Sequence, residues 1–202
     1  MKKHYSHIFA LMLMLHLFLY VWKALASLAL SLSHPFNMKM VTMKGMCILT
    51  IIVFFISRTK RSSLSIWPRK FDATTSSVLL LSGLMLVSTA VCFTKGAHGL
   101  WLLLYGSMVT PLFEELLFRG HIYDIQQHIH RSTLRVVILN ALLFSAWHLG
   151  YIAHPLLGGE WMALSKLVVG LLYGVVLAYI RCRTRSTLCC ILAHGALNAF
   201  LG

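Results

Sequence analysis

The chain alternates long runs of apolar residues with short segments that carry most of its charges. A membrane-spanning helix needs about 20 apolar residues, because the hydrocarbon core of a bilayer is about 30 Å thick and each residue adds 1.5 Å. No stretch has the polar–apolar alternation of a half-buried strand. We therefore expect an all-α fold, a polytopic membrane helix bundle that forms a single membrane domain over 1–202. The runs predict about seven transmembrane helices, over residues 8–31, 41–57, 75–93, 99–117, 134–152, 161–180 and 186–201.

Composition supports this interpretation. Of the 202 residues, 58% are hydrophobic and 11% are charged, and the mean hydropathy is +0.78. Ordinary soluble domains are about 25% charged, so the chain is neither a typical cytosolic enzyme nor a disordered segment. The five cysteines show no C-x-x-C spacing, which argues against a disulfide framework and against a zinc site made of cysteines.

The net charge of +13 is explained by membrane topology rather than by nucleic-acid binding. Lysine and arginine concentrate in alternate connections, and the positive-inside rule then places the N-terminus in the cytoplasm and the C-terminus outside a cell membrane. We expect the first helix to stay uncleaved, although Ala24 to Ala26 resembles a signal-peptide cleavage site. The basic connections hold Lys2, Lys3, Arg58, Lys60, Arg61, Arg69, Lys70, Arg119, Arg131, Arg135, Arg181, Arg183 and Arg185, against Lys39, Lys44 and Lys95 in the others.

Two adjacent carboxylates, Glu114 and Glu115, lie in an apolar segment. Ionised groups within a bilayer are costly, so they are functional candidates and need partners. Successive helical residues point about 100° apart, and Glu115 with Arg119 has the i, i+4 spacing of an ion pair. Glu114 is then free to face a cavity as a general base. Thr110 and Pro111 predict that a helix starts or kinks there.

Histidines supply the second element of a site. His148 closes a Phe-x-x-x-His pattern that begins at Phe144, and His194 and Asn198 share one face of a helix. By contrast, His16 has no polar neighbour at helical spacing, and we interpret it as a packed or lipid-interface side chain. Glu114 would lie too shallow to share a water with His148 if its helix ended at residue 117. The sequence therefore predicts a long helix over 111–128.

These groups suggest peptide hydrolysis by activated water. Glu114 and His148 could deprotonate the water. His194 and Asn198 could stabilise the oxyanion that forms when this water attacks an amide, a contribution of about 3 kcal/mol per donor. No serine or cysteine has the spacing of a nucleophile beside a base. Between these elements, Gly170 and Gly174 are four residues apart, a spacing of small residues that allows helices to approach closely.

In their order, the motifs of residues 110–200 resemble the CPBP family. It includes type II CAAX prenyl endopeptidases and bacteriocin-processing or immunity (Abi) proteins. The resemblance implies an intramembrane glutamic endopeptidase without a cofactor. Its partners would be a peptide or protein substrate and the surrounding membrane lipid. Residues 1–100 would be variable helices and 105–202 the catalytic helices. The implied catalytic residues are Glu114, His148, His194 and Asn198, with Glu115, Arg119 and Phe144 in support and Gly170 and Gly174 in helix packing.

Two alternatives remain open at this stage. Glu114, His148 and His194 could instead bind Zn²⁺ in a membrane metalloprotease, although there is no H-E-x-x-H motif. The chain could also be a non-enzymatic membrane immunity or binding protein, in which the polar residues serve helix contacts. The sequence identifies neither the substrate, prenylated or with a leader peptide, nor the oligomeric state.

Overall fold

The computed structural model describes residues 2–30, 35–59, 65–92, 99 and 103–201, and within these ranges every regular element is helical. The all-α prediction is confirmed. A 3₁₀ turn, Trp161–Leu164, precedes α7. The helices are α1 (Lys2–Leu30), α2 (Pro35–Thr59), α3 (Ala73–Cys92), α4 (103–129), α5 (Thr133–Trp147), α6 (Leu149–Leu157), α7 (Ser165–Thr184) and α8 (Thr187–Leu201).

Among the described residues, five helical stretches are long and apolar enough to cross a membrane, which makes the chain a multi-pass membrane protein. The helix α4 is not among them, and α8 is an apolar helix of shorter length. The number of seven transmembrane helices and the orientation of the termini therefore stay predictions. The five stretches are His4–Ala26, Met40–Ser57, Ala73–Ala90, Thr133–Ala153 and Trp161–Thr184.

The distribution of side chains also suits a bilayer. Large apolar side chains point outward, among them Leu13, Leu80 and Leu172 with more than half of their surface exposed. Several charged side chains point inward, and Glu115 and Arg119 are fully buried. Lipid rather than water is the solvent for the outer face, so ionisable groups gather where the helices can pair them. Arg119 is therefore part of the interior and not of a basic connection.

The central helix α4 differs from the sequence prediction at its start. It runs without interruption from residue 103 to residue 129. Of the two predictions for Thr110 and Pro111, a helix start or a kink, the start was therefore wrong, and so was an end of the span at residue 117. The long helix predicted over 111–128 is confirmed. Pro111 donates no backbone hydrogen bond, and the turn before it is a wider π-helical segment, Tyr105–Val109. A second π-helical segment, Leu116–Ile122, follows the two glutamates.

The helices around α4 hold it in the interior. It packs against α2 and α8, and its π-helical segment Leu116–Ile122 also contacts α5 and α7. α5 and α7 pack along each other closely, because a Cβ on Gly174 would lie only 2.8 Å from the Cα of Ala141. Gly174 thus lies where small residues are needed for close helix approach.

The connection between α7 and α8 fixes the start of α8. Arg185 adopts a left-handed conformation with φ of 51°, and its N–H donates to the carbonyl of Arg181, which closes α7. Ser186 Oγ then accepts a hydrogen bond from the N–H of Cys189 and donates to the carbonyl of Ile66 in the segment before α3. Helix α8, which carries His194, is therefore anchored at its first turn.

Candidate active site

The four candidate catalytic residues line one cavity of about 570 Å³. Glu114 comes from α4, His148 from the end of α5, and His194 and Asn198 from one face of α8. The sequence did not indicate the aromatic and basic part of this lining. The other lining residues are Met46, Tyr105, Gly106, Thr110, Phe144, Tyr151, Ser165, Lys166, Val169, Gly170 and Tyr173.

The two adjacent carboxylates have different partners. Glu115 Oε1 accepts hydrogen bonds from Arg119 Nη1 and from His194 Nδ1, both at 2.8 Å. The i, i+4 ion pair with Arg119 is present, whereas the bond to His194 was not foreseen from the sequence. Glu114 is 2% exposed, and its Oε2 lies 3.9 Å from His194 Nε2, which is too long for a direct hydrogen bond.

The bond from Glu115 orients the ring of His194. A carboxylate accepts and does not donate, so His194 Nδ1 carries the proton of this bond. In the neutral ring Nε2 then presents a lone pair to the cavity, and it donates only when the ring is doubly protonated. His194 can therefore act as an acceptor or, as the imidazolium, as a donor, while Glu115 holds Nδ1 in both states.

His148 is oriented by its own helix. Its Nδ1 lies 2.9 Å from the carbonyl oxygen of Phe144, and a carbonyl only accepts, so this nitrogen is the protonated one. The neutral ring leaves Nε2 as an acceptor. His148 is also the C-cap of α5, where its backbone N–H donates to the carbonyl of Ser145 at 3.0 Å.

Asn198 holds the first π-helical segment of α4. Its Nδ2 donates to the carbonyl of Gly106 at 2.9 Å. The amide group has two N–H donors, so this bond uses one of them and leaves the other for a group in the cavity. Asn198 therefore has a structural contact that the sequence did not indicate.

Phe144 lies between the charged and the imidazole groups. The guanidinium of Arg119 lies 4.2 Å from the centre of its ring, and the rings of His148 and His194 approach its ring with centroid distances of 5.0 and 5.8 Å. Close to them, Gly170 leaves room for the His148 ring, because a Cβ there would lie 3.1 Å from Nδ1.

A buried polar cluster supports the second π-helical segment. Arg181 Nε donates to the carbonyl of Arg119 at 2.8 Å and its Nη2 to Asp124 Oδ1 at 3.1 Å, and Asn140 Nδ2 donates to the carbonyl of Phe118 at 2.9 Å. A π turn displaces carbonyls from regular α-helical bonding, and side chains of α5 and α7 bind two of them. The support cluster consists of Glu115, Arg119, Asp124, Asn140 and Arg181.

Most of the support cluster escaped the sequence analysis. Arg181 is 3% exposed and belongs to the interior, whereas the sequence assigned it to a basic connection. One signal in the sequence could have revealed the cluster: Asn140 is a polar residue inside an apolar helix, where such residues need partners. The eleven other basic residues of that set still outnumber the three in the remaining connections.

Gly195 is a further residue whose role the sequence analysis missed. It follows His194 on α8, where a Cβ would overlap the carbonyl oxygen of Ser107 in α4. Pro111 cannot donate the usual i+4 hydrogen bond to this carbonyl, since it has no N–H. Only glycine at position 195 lets α8 approach the π-helical turn this closely.

The described ranges contain no group of three histidine, cysteine, aspartate or glutamate side chains that could hold a metal ion. Glu114, His148 and His194 line the same cavity, but they do not converge in that way. A tetrahedral zinc site needs donor atoms within about 2.0–2.3 Å of a common point.

The helices and the cavity define a multi-pass membrane protein with ionisable groups facing a cavity between its helices. Residues 96–200 match the Rce1-like family, described as type II CAAX prenyl endopeptidase Rce1-like, and this is just over half of the chain. The chain belongs to that family, a branch of CPBP, and is thus a CAAX-type intramembrane protease with a peptide or protein substrate. No curated protein and no solved structure matches the chain. A bacteriocin-processing or immunity role stays a prediction.

Proposed function

We propose that the chain is a glutamic endopeptidase in which Glu114 activates water for attack on a peptide bond. The observation that carries this proposal is the placement of Glu114: a buried carboxylate on the cavity wall, 3.9 Å from one imidazole and facing the same space as another. Its neighbour Glu115 is occupied by two short hydrogen bonds and so is the weaker candidate.

The first step is deprotonation of a water between Glu114 and His148. Both groups present acceptors, because the Nδ1 proton of His148 is engaged by the carbonyl of Phe144. Glu114 takes one proton from the water, and the oxygen attacks the carbonyl carbon of the scissile bond. General-base catalysis of this kind contributes about 10²–10⁴-fold to the rate.

The second step stabilises the oxyanion formed by this attack. Asn198 offers the N–H that is not bound to Gly106, and His194 offers Nε2–H in its imidazolium form. Each such donor contributes about 3 kcal/mol when it is fixed before the reaction. Glu114 then gives its proton to the leaving amine, the C–N bond breaks, and the carboxylate is restored.

The expected substrate is a membrane-associated peptide, because the cavity wall contains apolar and aromatic side chains. Tyr105, Val169 and Tyr173 line it beside the ionisable groups. The family description makes a prenylated C-terminal CAAX peptide the first substrate to test. We place the protein in a cell membrane with its N-terminus cytoplasmic, from the distribution of lysine and arginine.

The test compares Glu114→Gln with Glu160→Gln, which changes an exposed glutamate outside the site. Both purified variants are given a farnesylated peptide in lipid nanodiscs, and the cleaved product is quantified. We expect Glu114→Gln to lose at least about 10²-fold in kcat and Glu160→Gln to match the wild type. Full cleavage by Glu114→Gln would falsify the assignment. If the wild type leaves the peptide intact, comparison of the membrane proteomes of wild-type and Glu114→Ala cells identifies its substrate.

A further inference from the structure

The helix α1 lies outside the segment that matches the family, yet it touches the end of α5 beside His148. His16 Nε2 lies 3.1 Å from the carbonyl oxygen of Trp147, and the hydroxyl of Tyr20 donates to the carbonyl oxygen of Gly150 at 2.8 Å. His16 and Tyr20 are one helical turn apart and so share a face of α1. Of the two interpretations of His16, a packed or a lipid-interface side chain, the structure supports the packed one and adds a polar contact with another helix.

The contact with Trp147 fills a specific need of the backbone. The last carbonyls of a helix lack regular partners. The N–H of Tyr151, which would bind the Trp147 carbonyl in a continuous helix, instead donates to the carbonyl of His148 at 2.9 Å. His16 Nε2 supplies a donor to Trp147 in its place when the ring proton is on Nε2, while its Nδ1 faces the carbonyl oxygen of Met12 in its own helix at 3.1 Å. The bonds of His148 to the carbonyls of Phe144 and Ser145 then keep the end of α5 in one geometry.

The His16 ring also packs tightly against the end of α5 and the start of α6. The rings of His16 and Trp147 have centroids 3.7 Å apart, and the His16 ring lies directly against Gly150. A Cβ on Gly150 would overlap that ring. Gly150, two residues after His148, therefore leaves the space that the His16 ring occupies, a contact that no pattern in the sequence indicated.

We propose that His16, assisted by Tyr20, is a positioning residue for His148. By holding the carbonyls on both sides of His148, α1 fixes the junction of α5 and α6 and so directs His148 Nε2 into the cavity. This inference rests on the proposed function, in which His148 helps to activate the water. A displacement of about 1 Å in a catalytic group can cost 10²-fold in rate, so a contact remote from the substrate can have a large kinetic effect.

The test uses three substitutions on α1. His16→Leu removes the donor, His16→Gln keeps an N–H that can reach the Trp147 carbonyl, and His4→Leu is the matched control at an exposed position of the same helix. We expect His16→Leu to lower kcat about 10- to 100-fold with KM changed less than about twofold, and His16→Gln to recover most of the loss. His4→Leu should match the wild type.

A second readout needs no substrate. In protein labelled with ¹⁵N-histidine in detergent micelles, the His148 ring signals are assigned by their loss in His148→Gln. We expect these signals to shift in His16→Leu and to stay in place in His4→Leu. If no peptide is cleaved by the wild type, the proposed function is in question, whereas the ¹⁵N signals still decide the positioning role.

The proposal is overturned if the His148 signals and the kcat of folded protein are unchanged in His16→Leu. It is also overturned if kcat falls but His16→Gln fails to restore it and the His148 signals do not move, since that result describes a contact needed only for stability. Should His16→Leu not fold, Tyr20→Phe removes the bond to Gly150 alone, and the same two readouts apply. An unchanged Tyr20→Phe would then reject the proposal.

Discussion

Glu114 and Glu115 are adjacent in the sequence and equally buried, yet they belong to two different regions. Glu114 lies on the cavity wall with an imidazole nitrogen 3.9 Å away, whereas Glu115 belongs to the support cluster and accepts two hydrogen bonds of 2.8 Å. Burial therefore does not separate the reactive carboxylate from the structural one. The hydrogen bonds do, because a carboxylate whose oxygen is held by Arg119 and His194 is poorly placed to take a proton from water.

The largest expected effect on stability comes from Glu115→Gln. This change leaves the fully buried Arg119 without its carboxylate, and breaking one partner of a buried ion pair costs about 3–5 kcal/mol. Thermal unfolding in detergent, followed by circular dichroism, should show a clearly lowered midpoint. Glu114→Gln is the matched control, and we expect it to abolish cleavage while leaving the midpoint within a few degrees of wild type.

A double variant sharpens this comparison. Glu115→Gln combined with Arg119→Leu removes both charges of the pair, and replacing a buried pair by apolar groups is often neutral for stability. We expect it to recover part of the loss seen in Glu115→Gln alone. If Glu114→Gln destabilises the fold as strongly as Glu115→Gln, the distinction between a reactive and a structural glutamate is wrong.

A smaller effect is expected from Gly195→Ala, which acts on the connection between the two regions. The added Cβ would overlap the Ser107 carbonyl and push α8 away from α4, at a cost of about 1–3 kcal/mol for overpacking. His194 and Asn198 move with α8, so kcat should fall further than stability explains. Gly83→Ala is the control, because nothing lies within 4 Å of a Cβ there. Equal kcat per folded molecule in Gly195→Ala and Gly83→Ala would show that this close approach does not matter for the site.

The sequence predicted the parts of the site whose signal is local. The Glu115–Arg119 pair follows from i, i+4 spacing, and the long α4 follows from the depth that Glu114 needs to meet His148. The bond from Glu115 to His194 joins residues 79 positions apart and has no local signal. The bond from Arg181 to the carbonyl of Arg119 joins residues 62 positions apart and has no local signal either. The positive-inside count treated both arginines as loop residues, although the three-dimensional packing buries them.

The start of α4 shows a different limit of sequence reasoning. A threonine before a proline is typical of a helix N-terminus, but here the preceding turn is π-helical and the helix continues through Pro111. Helix α8 compensates part of the affected turn, because Asn198 Nδ2 donates to the Gly106 carbonyl, while Gly195 leaves room beside the Ser107 carbonyl. Such compensation depends on residues far along the chain, so a motif read in isolation could not anticipate it.

The last prediction concerns metal and has the smallest expected effect. An enzyme that activates water with a carboxylate and an imidazole alone should stay active in the presence of a metal chelator. We therefore expect kcat with and without 1,10-phenanthroline to agree within about twofold. The opposite result, loss of cleavage that is restored by Zn²⁺ with one bound ion per chain, would make Glu114, His148 and His194 metal ligands. The bond from Glu115 to His194 Nδ1 would then orient a ligand, as carboxylates commonly do beside metal-bound histidines. The two regions would keep their division of roles, but the activated water would belong to the metal rather than to Glu114.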